Sequence, residues 1–290
     1  MATPNDLTIY GFPDECKNFD ARHPLWNEMM TNLVAALNIA FTRVEDMTLA
    51  VDKFVYFLGR VIFEDFMEIT LISQHGYGVA ASKLLRSMYE MTVTLCYLHQ
   101  HPDEATTFLD YHAIQQDKLA NRLIETFGPD ILAPDLLKEV RENAAAVKED
   151  FMVPECDHPN AKMRLNHSWN RLDFVSMAKT TDVGRLIVPG YFLPLLHAHP
   201  TFGGLTERLK ITTDGIMELN PEAQPDIADR SLMVAHNCLI EALKVQGEHF
   251  HIEGLEAAMQ TCLRDFLRVW APDSPFLNDA AVSVTPSPTP

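Results

Sequence analysis

Positive charge is scarce in this sequence: 23 Lys and Arg stand against 40 Asp and Glu, a formal net charge of -17. The acids run along the whole chain instead of collecting in a tail, so the exterior repels phosphate backbones and anionic lipid alike. That excludes general nucleic-acid binding and leaves room only for a small basic pocket reading one RNA end. Cysteine is sparse as well. The five thiols, Cys16, Cys96, Cys156, Cys238 and Cys262, form no C-x-x-C pair, and three lie inside helical patterns where cysteine acts as a small hydrophobe. Such usage reads as a cytoplasmic protein with reduced thiols. The first residues lack a basic stretch followed by an apolar run, so no secretory leader is expected. The longest uncharged apolar run, 186–196, is interrupted by Pro189, Gly190 and Pro194 and is too short for a bilayer. Also missing are G-x-x-x-x-G-K-[ST], G-x-G-x-x-G between a strand and a helix, G-x-S-x-G and H-E-x-x-H. Nucleotide-driven motors, dehydrogenases, serine hydrolases and zincins are thereby set aside, and no cofactor is expected.

What is present is helix. With 290 residues, 47% of them hydrophobic, the chain can bury a full core. Apolar residues recur at helical spacing in 24–41, where Pro24 precedes Leu25, Met29, Leu33, Leu37 and Phe41, and again in 45–73. Proline-plus-acid starts at Pro102 and Pro134 open two further helices, reaching about Phe127 and Phe151. The stretch 153–168 has prolines, polar residues and no period, and reads as a long loop. A short helical pattern occupies 170–179, and 205–218 is ambiguous because β-branched Ile211, Thr212 and Thr213 weaken its helical reading. A last strong pair of helices spans roughly 226–246 and 253–270. The expectation is an all-α bundle of about eight helices. Residues 1–22 read as an irregular lead-in, 23–271 as a single helical domain with a sub-boundary available at 153–168, and 272–290 as a disordered Pro/Ser/Thr-rich tail.

The centre of this plan is 76–99, GYGVAASKLLRSMYEMTVTLCYLH. Its Leu84, Leu85, Met88, Met91, Thr92, Leu95, Cys96 and Leu98 cover more than half of the helical cylinder, which places it inside a bundle. On the seam that remains, Lys83, Arg86, Glu90 and Tyr97 share one face. An arginine and a glutamate one turn apart can bind a planar anion or position a ligand, with arginine as bidentate donor and glutamate as acceptor or base, or they can form an ordinary ion pair on a wet face.

The run R-S-M-Y-E around Arg86 and Glu90, followed by F-L-D-Tyr111 and later by Tyr191 with His197 or His199, resembles a bacterial helical domain family of unknown function. The resemblance covers about residues 50–200, implies a helical cytosolic protein and implies that Arg86 and Glu90 are deliberately placed. Joined to Tyr97 of the seam, the motif residues Arg86, Glu90, Tyr111, Tyr191, His197 and His199 are the expected ligand- or partner-binding residues. The resemblance also carries a loose association with defence or stress systems.

A second pattern, Arg230-S-L-M-V-A-His236, is similar to the R-x4-6-H signature of HEPN ribonucleases, whose metal-free chemistry uses arginine on phosphate and histidine as the proton carrier. The departures are Ser231 where an amide or acid is usual, and a position on the penultimate helix. Projection puts His236 among Leu232, Leu239, Ile240 and Leu243, about 120° round the helix from Arg230. A core histidine beside a surface arginine is the competing reading.

Other constellations are weaker. Glu155, Cys156 and His158 with His167 are zinc-type donors without a rigid anchor, and a di-iron bundle would need E-x-x-H on two helices, so no metal is expected. The leading expectation is a helical protein that binds a small ligand or protein partner through a polar cleft floored by Arg86, Glu90 and Tyr97. The alternative is a metal-independent endoribonuclease using His236 and Arg230, and homodimerisation through Trp270 and Phe250 is a third expectation.

Overall fold

The computed structural model describes residues 11–42, 47–156, 158, 161–211, 213–220 and 222–272. Eleven α-helices dominate these described residues: α1 (Glu15–Arg22), α2 (Trp26–Phe41), α3 (Ala50–Gln74), α4 (Gly78–Gln100), α5 (Ala105–Phe127), α6 (Pro134–Val147), α7 (Phe174–Lys179), α8 (Leu193–Ala198), α9 (Phe202–Thr206), α10 (Pro225–Phe250) and α11 (Leu255–Trp270). Two small antiparallel ladders accompany them, β1 (Met152–Pro154) with β2 (Met163–Leu165) and β3 (Leu209–Ile211) with β4 (Met217–Leu219). The all-α expectation holds, and the anticipated tail lies outside the described residues.

Helices α3, α4 and α10 pack together as the centre of the bundle. Helix α4 can sit there because its apolar residues encircle it: Leu85, Met88, Tyr89, Val93, Leu95, Cys96 and Leu98 are all buried. Gly59 allows α3 and α10 to approach closely, since a Cβ there would meet Gln246 Nε2 at 2.5 Å. That same Gln246 amide donates to the Val55 carbonyl at 2.6 Å, tying the two helices across the interface. Helices α2 and α11 pair on one flank, with Asn32 donating to the buried Asp265 at 2.7 Å. Helices α5 and α6 pair on another around a small satellite core of Tyr111, Ile114, Ala144 and Phe151.

The structure corrects the sequence reading at several places. Residues 15–22 of the supposed irregular lead-in are helix α1, whose one buried side chain, Phe19, makes too faint a periodic signal to read. Arg22 and His23 anchor this end to Asp229 on α10, at 3.0 and 3.1 Å. The ambiguous 205–218 holds the end of α9, then β3 and most of β4, in keeping with the β-branched Ile211. The eleven helices exceed the expected eight or so by α1, α8 and α9, each of eight residues or fewer and too short for a periodic signal, whereas α7 falls within the expected pattern at 170–179. Within the stretch expected as a long loop, 153–168, β1 and β2 instead pair in the register Met152↔Leu165 and Pro154↔Met163.

Candidate functional site

Residue 86 sits midway along α4, where the packed cylinder leaves its narrow polar seam. The Arg86 Nε–H donates to Glu90 Oε1 at 2.9 Å, the i,i+4 contact that helical geometry offers. The guanidinium does not extend into open solvent. It lies over the ring of Tyr191, 4.7 Å from the centroid, and Nη2 donates to the Tyr191 hydroxyl at 3.4 Å. The side chains of Arg86 and Glu90 are 22% and 42% exposed, so the pair is sheltered on one side and open on the other.

Tyr191 reaches this position through irregular backbone. A short 3-10 segment, Asp182–Leu186, leads into one turn of π-helix, Val188–Phe192, which continues into α8. Pro189 and Pro194 have no amide hydrogen to give, so a regular i→i-4 ladder cannot run through the segment. Gly190 beside Tyr191 is required by packing: a Cβ there would stand 2.7 Å from Cδ2 of the buried Tyr89. Tyr89 in turn donates its hydroxyl to the Val183 carbonyl at 3.0 Å, closing the segment against α4.

Around the pair is a cavity of about 300 Å³, lined by Arg86, Glu90, Trp169, Phe174, Met177 and Tyr191 among others. Phe174 leans on Tyr191 with centroids 4.7 Å apart. A larger space of about 610 Å³ adjoins it, with Trp169 and Leu172 lining both. Tyr97 belongs to this second space. It is 4% exposed, and its hydroxyl donates to Glu104 Oε1 at 2.9 Å while Asn170 Nδ2 donates to Oε2 at 2.9 Å. Burial raises the Tyr97 pKa, which keeps the phenol protonated and donating.

The other residues singled out in the sequence do not join this cleft. Tyr111 is in the satellite core, donating to the Asn166 carbonyl at 3.1 Å and accepting from Lys118 Nζ at 3.0 Å. His197, on α8, sets Nε2 3.2 Å from Glu207 Oε2, and its pKa is lowered because burial disfavours the imidazolium. His199 is exposed just past the end of α8. Conversely, Trp169, Phe174, Glu104 and Asn170 were missed by sequence reasoning. The available signal was a lone tryptophan in an otherwise polar loop.

His236 and Arg230 do not converge. His236 is 0% exposed, ringed by Trp26, Phe66 and Phe266, with Trp270 Nε1–H donating to Nδ1 at 3.1 Å. Desolvation depresses its pKa to about 3, so it is neutral at physiological pH, whereas Arg230 is exposed. This geometry gives the nuclease reading no support. Trp270, expected as an interface aromatic, is turned inward against Trp26 and His236. Among the described residues, no group of three or more His, Cys, Asp or Glu side chains converges to hold a metal, and no helix is long and apolar enough to cross a membrane.

Neither the curated proteins nor the solved structures give a match to this chain. A family model does, over residues 53–216. The matched region contains Arg86, Glu90, Trp169 and Tyr191 and ends before Arg230 and His236. Spanning more than half of the chain, the match shows that this protein belongs to DUF5677, a family of unknown function.

Proposed function

We propose that this protein binds a small, flat, polar molecule in the cleft floored by Arg86 and Glu90. The observation that carries the reading is the joint placement of donor and acceptor at the floor of an aromatic-walled cavity. With Nε on Glu90 and Nη2 on Tyr191, the Arg86 guanidinium still has Nη1 to donate. Glu90 keeps Oε2 to accept. A donor beside an acceptor is the complement of a primary carboxamide, whose carbonyl takes the arginine hydrogen while its N–H meets the carboxylate. Trp169, Phe174 and Tyr191 supply rings for a planar ligand. The cavity of about 300 Å³ is at the small end of ligand pockets.

An ordinary surface pair would look different. An isolated i,i+4 ion pair contributes about 0.3–0.5 kcal/mol and needs no aromatic cover. Here the guanidinium is stacked on a ring brought from a segment 105 residues further along the chain. Ligand-observed NMR on the wild-type protein, with benzamide and benzoate as probes, tests the reading. Benzamide receives saturation transfer and benzoate, whose carboxylate faces Glu90, does not. Equal response from benzoate, or none from either, contradicts it.

A further inference from the structure

The space of about 610 Å³ beside the Arg86 cleft has a different chemistry. Its lining carries three carboxylates, Glu104, Glu149 and Asp150, against a single guanidinium, Arg171. Glu104 is the informative one. Both of its oxygens are held, but by neutral donors: the Tyr97 hydroxyl at 2.9 Å and the Asn170 amide at 2.9 Å. Among the described residues it makes no ion pair; its carboxylate stands at the N-terminal end of α5, where the helix dipole favours negative charge, and no cationic side chain is paired to it. A carboxylate held in one orientation on the lining of a cavity, with no cationic side chain paired to it, offers charge-assisted contact to a bound cation. The rings on the same lining, Tyr97, Phe151 and Trp169, are of the kind that stabilise an organic cation through the aromatic quadrupole. Tyr97 and Trp169 meet nearly edge to face, 5.8 Å apart at 71°, which presents two differently oriented rings to one space.

We propose that this second space is a subsite for an alkylammonium group, held by the Glu104 carboxylate with the rings of Tyr97 and Trp169 at its side. The inference rests on the reading of the Arg86 cleft as a ligand site, because Trp169 and Leu172 line both spaces and one ligand can extend across them. The flat polar head then lies over Arg86 and Glu90, and a cationic arm passes Trp169. Asn170, buried and donating to Glu104, is a positioning residue: its Oδ1 is fixed by the Leu172 amide at 2.7 Å, which sets the side chain's direction.

The experiment is calorimetric titration of the full chain with choline and, separately, putrescine, each compared with 3,3-dimethylbutan-1-ol, the uncharged twin of choline. At least one ammonium probe binds, and the uncharged twin binds at least about tenfold more weakly. Because that comparison uses wild-type protein, it does not depend on how a variant folds. Glu104→Gln weakens the ammonium probe by about tenfold or more while leaving benzamide binding at Arg86 unchanged. Equal binding of the uncharged twin, undiminished binding by Glu104→Gln, or no binding of either ammonium overturns the inference. Benzamide binding that persists alongside any of those results leaves the Arg86 reading intact and removes the cation subsite alone.

Discussion

Arg86 lies over the ring of Tyr191 with its guanidinium carbon 4.7 Å from the centroid, although Tyr191 comes from a π-helical turn far along the chain. This stack fixes an otherwise mobile side chain in one orientation and leaves part of its hydrogen-bonding capacity free. Replacing the ring separates the two contributions. Tyr191→Phe keeps the stack and loses only the 3.4 Å hydroxyl contact, so benzamide affinity changes little. Tyr191→Leu loses the stack, worth about 0.5–1 kcal/mol at a partly exposed position, and weakens benzamide by about threefold or more in a titration. Equal effects from both substitutions contradict the stacking role.

Gly190 tests the backbone that delivers Tyr191. A Cβ there stands 2.7 Å from Tyr89 Cδ2 and 2.8 Å from Cγ, and Tyr89 is fully buried, so Gly190→Ala overpacks the junction. Overpacking of this kind costs about 1–3 kcal/mol. The urea midpoint falls accordingly, and benzamide affinity falls with it because the neighbouring residue is displaced. A variant of unchanged stability shows that the segment yields freely and is not clamped to α4.

How much of this was legible is best judged from α4 and its partners. The burial of α4 was readable because periodicity reports directly on how much of a helix is apolar. The proximity of Arg86 and Glu90 followed from helical spacing alone. Tyr97 was assigned to the same seam, yet it serves the neighbouring space, because side chains two turns apart on one face can meet different partners once α5 and the 163–172 segment pack against the helix. Trp169 was marked only by being a lone tryptophan in a polar loop, and neither its reach into the cleft nor that of Phe174 has a local signal, since loop and short-helix residues arrive there through tertiary packing, which has no local period. Helix α1 was lost for the same reason: with Phe19 as its single buried residue, it has no stripe.

His236 yields a prediction about acid stability. Its folded pKa is depressed to about 3, against an unfolded value of about 6.5. Between those values the unfolded chain binds the proton and the folded chain does not, so stability is fully present above the unfolded value and is lost as pH falls. By linkage this group removes about 2 kcal/mol between pH 8 and pH 5. His236→Gln retains an acceptor for the Trp270 N–H and abolishes the titration. Urea unfolding at the two pH values therefore shows a smaller difference in the variant, by about that amount; an unchanged difference disproves the assignment.

The most direct test of the central claim is calorimetric titration of benzamide into wild type, Arg86→Ala and Glu90→Gln, with urea midpoints recorded alongside. The Arg86–Glu90 pair is partly exposed, at 22% and 42%, so breaking it shifts stability by only about 0.5 kcal/mol. The account predicts that each substitution abolishes measurable benzamide binding while both proteins keep midpoints close to wild type. Benzamide binding that survives both substitutions, or variants that lose stability without a change in binding, contradicts it and leaves Arg86 and Glu90 as a structural pair on the face of α4.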